Sequence, residues 1–211
     1  MQTVFVALLV GVLVVSVLSF AVMGLGRRRR VIALAREAHR RGMRFSGSDP
    51  FDVARRYAAF ELIRSGHSPH AHNVTYGRLD GWTLRAFDFR YELGHGTRRL
   101  TRQYGVVVVE TDVPCGPVLM WHESDLRHGP MAAWRSRQRQ ACWLCQGSQD
   151  LAARLAELCW PLAEHRVSVQ ACGSVFMFCL PAPERWPDYI AGLEKIGPIL
   201  RGLRAWTQQP A

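Results

Sequence analysis

The chain has 211 residues, of which 48% are hydrophobic and 21% charged, with a formal net charge of +10. That is room for one domain with a sizeable core, and it excludes two full domains or a disordered polyelectrolyte. The charge is local: eight arginines and one acid, Glu37, fall between Arg27 and Arg44, which leaves the rest near neutral. A generally basic nucleic-acid binder is therefore not indicated, and the sequence predicts no nucleic-acid partner.

From Thr3 to Gly26, "TVFVALLVGVLVVSVLSFAVMGLG" runs without a charge. At about 1.5 Å per helical residue it is long enough for a hydrocarbon core of about 30 Å, and it predicts a transmembrane helix. A cleaved signal peptide fits less well, because no basic region precedes the run and the run is too long. Arg27, Arg28, Arg29 and Arg30 follow at once. By the positive-inside rule they put the amino terminus outside and the bulk of the chain in the cytoplasm, at the inner membrane of the cell. The same four arginines are candidate membrane-surface residues, since anionic headgroups attract such clusters. The expected organisation is an anchor with a basic flank over 1–30, a juxtamembrane helix and linker over 31–48, and a soluble domain over 49–211.

"VIALAREAHRRG" continues in helical style, with Val31, Leu34 and Ala38 on one side. Asp49 and Pro50 read as a cap and a first helical residue, opening a helix "PFDVARRYAAFELIRS" that closes at Gly66 and buries Phe51, Ala54, Ala58 and Leu62. The following "SGHSPHAHN" reads as a solvated loop.

The period then changes to two. In "GWTLRAFDFRYEL", Phe87, Phe89, Tyr91 and Leu93 share one face, and Asp88, Arg90 and Glu92 the other. "GHG" supplies a turn, and "TRRLTRQYGVVVVETD" returns as a strand whose Val106–Val109 run predicts burial on both faces. Arg99 or Arg102 is expected to pair with the acids of the first strand. "PVLMW" predicts a separate strand, 123–139 a long connection, "ACWLCQ" a strand, and "SQDLAARLAELCWPLAEH" a helix. "RVSVQACGSVFMFCL" predicts two strands broken at Gly173, and a final helix spans 183–206 with a kink at Pro198. The fold class expected is α+β: an amino-terminal transmembrane helix, then a two-layer domain of antiparallel strands with packed helices.

Asn73, Val74 and Gly77 form an "N-V-x-x-G" run, and Gly81 precedes "F-D-F-x-Y" at Phe87, Asp88, Phe89 and Tyr91. In these residues the chain resembles a group of uncharacterised bacterial membrane-anchored proteins, and its second half is similar to theirs in outline. The resemblance implies an architecture of anchor, helix and strands. It implies no activity, and the group's other members often carry different polar residues where His67, His70 and His72 stand here.

His67, His70 and His72 are the candidate metal ligands, since three imidazoles and a water complete a zinc tetrahedron. Their spacing matches no helical zinc motif, Pro69 constrains the loop, and no acid lies within it, so no metal is expected. Cys142 and Cys145 form a lone C-x-x-C without a second pair; Cys115, Cys159, Cys172 and Cys179 sit in apolar surroundings, and free thiols are expected throughout. Asp88 and Glu92 stand about 13 Å apart along a strand, too far to cooperate with His95 as an acid/base set. Neither "GLGRRRR" nor "GHGTRR" is a phosphate-cradling loop. Arg135, Arg137 and Arg139 interleave with Trp134 and Trp143, the one stretch with the composition of a single-strand platform. The reading reached is a single-pass membrane protein, with no cofactor, whose cytoplasmic domain binds a protein partner or ligand at the lipid bilayer. The alternative is a membrane-tethered enzyme with a histidine-based site at 67–72.

Overall fold

In the computed structural model the described residues are 2–79, 81–126, 129, 130, 135, 138–181 and 186–207; within them the side chains of 2–9, 17, 20–23, 26, 27, 79, 97, 113, 186–193, 206 and 207 are not described. The chain opens on one helix, α1 (Gln2–Arg40), 39 residues long. It ends in a left-handed glycine: Gly42 has φ 67°, the Met43 amide donates to the Ala38 carbonyl at 2.8 Å, and the Gly42 amide to that of His39 at 3.0 Å. This double closure satisfies carbonyls that the last turn leaves open.

The expected transmembrane helix does not stand. Among the described residues no helix is long and apolar enough to cross a membrane. In place of an anchor that stops at residue 30, one continuous helix carries arginines through its middle and delivers Leu34 and Ala38, each 3% exposed, into the core. The described apolar side chains of its amino-terminal half, from Val10 to Leu25, stand outside that core.

Seven strands form one antiparallel sheet. They are β1 (Arg44–Ser46), β2 (His67–Leu79), β3 (Trp82–Leu93), β4 (Leu100–His122), β5 (Gln138–Gln140), β6 (Trp143–Gly147) and β7 (Ser168–Pro181). β4 is the axis: β7 pairs along one edge, while the other edge pairs with β3 over Leu100–Glu110 and with β6 over Val118–His122. Between these stretches the β4–β7 register shifts around Cys115, opposite Gly173, whose φ is 65°. The bulge absorbs Pro114, Gly116 and Pro117, so the two strands expected from the sequence are one bent strand. β7 is likewise one strand through Gly173, not two.

Both faces of the sheet are buried, which corrects the two-layer expectation to three layers. On one face Leu84, Ala86, Val107, Val109, Phe176 and Phe178 pack under α1, α4 (Gln149–Cys159) and α5 (Trp186–Thr207). On the other face Phe87, Phe89, Tyr91, Val106, Val108 and Trp121 pack under α2 (Val53–Arg56) and α3 (Glu61–Arg64). The strand period of two sends alternate residues of β3, β4 and β7 to opposite cores, and Val106–Val109 are all buried as expected.

Asp49 accepts from the Phe51 and Val53 amides at 2.9 and 2.7 Å, but the helix starts only at Val53 with Asp52 at its N-cap, so Pro50 is not its first residue. The single helix expected at 50–65 is two four-residue helices instead. The buried residues are Val53, Tyr57, Phe60, Leu62 and Ile63, whereas Ala58 is exposed. A segment this short satisfies the sheet's second face by burying aromatic rings irregularly rather than along one helical stripe. Ser148 caps α4, and Ile196, Ile199 and Leu203 of α5 are buried as read; Ile190, Leu193 and Trp206 have side chains outside the described residues.

Candidate functional site

The histidine segment is strand, not loop. His67 and His70 are exposed on β2 and His72 is half-buried. Ser68 and Asn73 take positive φ of 52° and 53°, and the β2–β3 register shifts between His67 and His70 and again between His72 and Thr75. Two bulges let a strand accommodate Pro69, which is why turn-forming residues disguised it. The pairing sets His72 opposite Asp88, His70 opposite Arg90 and His67 opposite Glu92, all on the face that α1 covers.

Asp88 is the hub of this face. Arg30 Nη2 donates to Asp88 Oδ1 at 2.7 Å, Asn73 Nδ2 donates to Oδ2 at 2.8 Å, and His72 Nε2 lies 3.8 Å from Oδ2. Side-chain exposure is 15% for Asp88 and 33% for Arg30, so the pair is shielded but not sealed. The Asn73 amide also donates to the Gly47 carbonyl at 3.1 Å, which fixes the left-handed residue. Burial lowers the pKa of His72, and His70, Arg90 and Arg30 act in the same direction against the pull of Asp88. His72 is thus disposed to be neutral.

Of the four arginines read as a surface cluster, Arg28 and Arg29 are exposed and Arg30 is tied to the sheet; the Arg27 side chain lies outside the described residues. The three histidines do not converge. His67 stacks on His95 at 4.6 Å between ring centroids and shares a 2.8 Å hydrogen bond with the Gly94 carbonyl, while His70 stacks on His72 at 5.7 Å. Rings stacked face to face point their nitrogens past one another, and among the described residues no group of three histidine, cysteine or acidic side chains is arranged to hold a metal. Glu92 pairs with Arg99 at 3.2 Å, as expected, and away from Asp88.

A second polar cluster, which no motif pointed to, lies under the opposite face. Tyr104 Oη donates to Asp125 Oδ2 at 2.9 Å, and Trp121 Nε1 to the Asp125 carbonyl at 3.4 Å. Asp125 is 4% exposed, and the Tyr91 and Tyr104 rings stack at 6.1 Å with 3° between planes. Burial pushes the Tyr91 phenol up to about 12 and raises that of Tyr104 further, so both stay protonated donors. On the same face Arg85 donates to Tyr57 Oη at 2.9 Å and pairs with Glu110.

The remaining candidates resolve into structure. All six cysteines are free. Cys142 sits in the β5–β6 turn and Cys145 is buried, its thiol pushed up to about 11, so the C-x-x-C is neither a ligand pair nor a reactive thiol. Trp143 is fully buried and donates to the Val167 carbonyl at 2.7 Å, which removes it from any base-stacking platform. Arg139 pairs with Glu123 at 2.9 Å, and Trp134 and Arg137 lie outside the described residues. A cavity of about 230 Å³ opens at the sheet bulge between Phe60, Leu119, Gln146 and Gln170. The Gln170 side-chain oxygen Oε1 there accepts from the Glu61 backbone amide at 2.8 Å.

No protein-family model matches the sequence, and no curated protein matches it. Among solved structures, the crystal structure of the mycobacterial trehalose monomycolate transport factor A, TtfA, is similar, with a TM-score of 0.54 at 12% identity. The likeness covers 82% of this chain and 94% of that one. At that identity it is a likeness of fold.

Proposed function

We propose that the chain is a factor that works at a membrane surface in the movement of a lipid, by binding a partner or ligand there. The observation that carries this reading is the apolar surface of α1. Val10, Val12, Leu13, Val14, Val15, Leu18 and Leu25 are each between 48% and 64% exposed, a patch far beyond what scattered surface residues make. Exposed Arg28 and Arg29 border it, the composition that suits an apolar layer edged by anionic headgroups. The fold shared with a transport factor supports a role in transport.

Vesicle flotation of the full chain tests this. The wild type should rise with liposomes, and the double variant Leu13→Asp/Leu18→Asp should stay at the bottom of the gradient while keeping the circular dichroism of the folded sheet. In the host, loss of the protein should leave a lipid made but retained on the side of synthesis. A wild-type chain that stays at the bottom, or an unchanged lipid distribution, would overturn the proposal.

A further inference from the structure

The Arg30 to Asp88 bond joins the apolar stretch of α1 to the histidine face of the sheet. Leu34 and Ala38 lie over the sheet near Trp82, Leu84 and Ala86, and Arg30 is one turn further toward the amino terminus, over Asp88. Along the same line β3 continues to Arg90, Glu92 and the Gly94–Gly96 turn, with His72, His70 and His67 beside it on β2. The helix therefore leaves the sheet on the side where these groups lie, carrying its apolar surface and Arg28 and Arg29 with it. Beyond Asp88 the described side chains of His70, Arg90, His95 and Arg98 are all exposed.

We propose that His67, His70 and His72, together with Arg90 on β3 and Arg29 on α1, form a face that docks on anionic lipid headgroups and does so more tightly as pH falls. The inference rests on the membrane reading above and names both the surface and its regulation. Charge complementarity selects the occupant. Four arginines, Arg29, Arg30, Arg90 and Arg99, stand around two carboxylates, Asp88 and Glu92, which are engaged by Arg30 and Arg99 respectively. Histidines at the rim add positive charge when protonated, and imidazole titrates in the range between about pH 5 and 8.

The surroundings of each ring set its response. His72 faces Asp88 and Arg90 from β3, Arg30 from α1 and His70 from its own strand. His70 faces His72 and lies across from Arg90; His67 stacks on His95, lies across from Glu92 and meets the Gly94 carbonyl. Burial, together with His70, Arg90 and Arg30, disfavours the His72 imidazolium in the free protein, and a phosphate headgroup beside it reverses the balance. Lipid and proton therefore bind cooperatively.

Hydrogen exchange of the full chain bound to vesicles reads this out. At about pH 5.5, amides of His67–His72 and of the Gly94–Arg98 turn should exchange roughly threefold or more slowly on phosphatidylglycerol vesicles than on phosphatidylcholine vesicles. At about pH 7.5 the ratio should be smaller, leaving only the arginine contribution, and in His67→Gln/His70→Gln it should not change between the two pH values. A chain that binds both vesicles with a ratio of one throughout, or a double variant that keeps the wild-type response, overturns the headgroup face while leaving membrane binding intact. A chain that binds neither vesicle overturns the membrane reading and this inference together.

Discussion

The two polar clusters of this protein lie on opposite faces of the same sheet and are built to opposite rules. Around Asp125 the polar atoms are sealed: Tyr104, Tyr91 and Trp121 surround a carboxylate that is 4% exposed, close to β4 and its following turn. Around Asp88 they are open on one side, and they tie together three elements distant in sequence, α1, β2 and β3. A sealed cluster stabilises because every group has its partner in place and water cannot substitute for it. An open cluster contributes less to stability, because solvent competes, yet only an open one can exchange a partner for a ligand. The contrast makes the first cluster part of the packed interior and leaves the second the one open to a ligand.

Removing the sealed carboxylate should do the most damage. Asp125→Ala leaves the Tyr104 hydroxyl buried without its acceptor, and the cost of such an orphan is about 1 to 3 kcal/mol. A loss near the upper end is expected in urea unfolding, since the same turn also positions the acceptor for Trp121. A loss below about 0.5 kcal/mol would mean water reaches the site and the contrast between the faces is false.

Asp88→Ala should cost less, about 1 kcal/mol, because Arg30 keeps a third of its side chain in solvent and can turn outward. Its consequence should be local. Protection of the α1 amides from Arg30 to Ala38 should fall while that of β4 stays unchanged, which native-state hydrogen exchange resolves residue by residue. Loss of protection across the whole sheet would place Asp88 in the structural class with Asp125.

The two clusters also differ in how far the sequence disclosed them. The hairpin was legible because Phe87, Phe89 and Tyr91 alternate with Asp88 and Arg90, and their burial follows that period. The Asn73 to Asp88 contact was within reach of the same reading. Leu79 pairs with Trp82 across a turn containing Gly81, at φ 88°, and counting outward from that turn brings 73 and 88 together. Pro69 and the glycines around the histidines suggested a loop and hid it. Arg30 could not be found this way, since 58 residues separate it from Asp88 and its neighbours had a sufficient explanation as a topology signal. The long strands failed for a related reason: Pro114, Pro117 and Gly173 are breakers in isolation, and only the pairing of β4 with β7 converts them into a shared bulge.

The smallest effect expected is also the one that separates the faces by sign. Tyr91 and Tyr104 have raised folded pKa values, so their contribution is complete below the ordinary tyrosine range near pH 10 and is lost as pH rises through the folded values. His72 behaves in the opposite sense. Its folded pKa is lowered, so its contribution is complete above the ordinary histidine value of about 6.5 and is lost as pH falls below it, when the unfolded chain takes up protons first. His122, also lowered by burial, shares this acid limb from the far end of β4. His72→Gln should therefore flatten only part of the fall in unfolding free energy between about pH 7 and 5, by less than about 1 kcal/mol, and should leave the alkaline limb untouched. Urea unfolding across that range measures both limbs. An unchanged acid slope in His72→Gln would show that His72 takes its proton as freely in the folded chain as in the unfolded one, and that the Asp88 cluster is more open than its geometry implies.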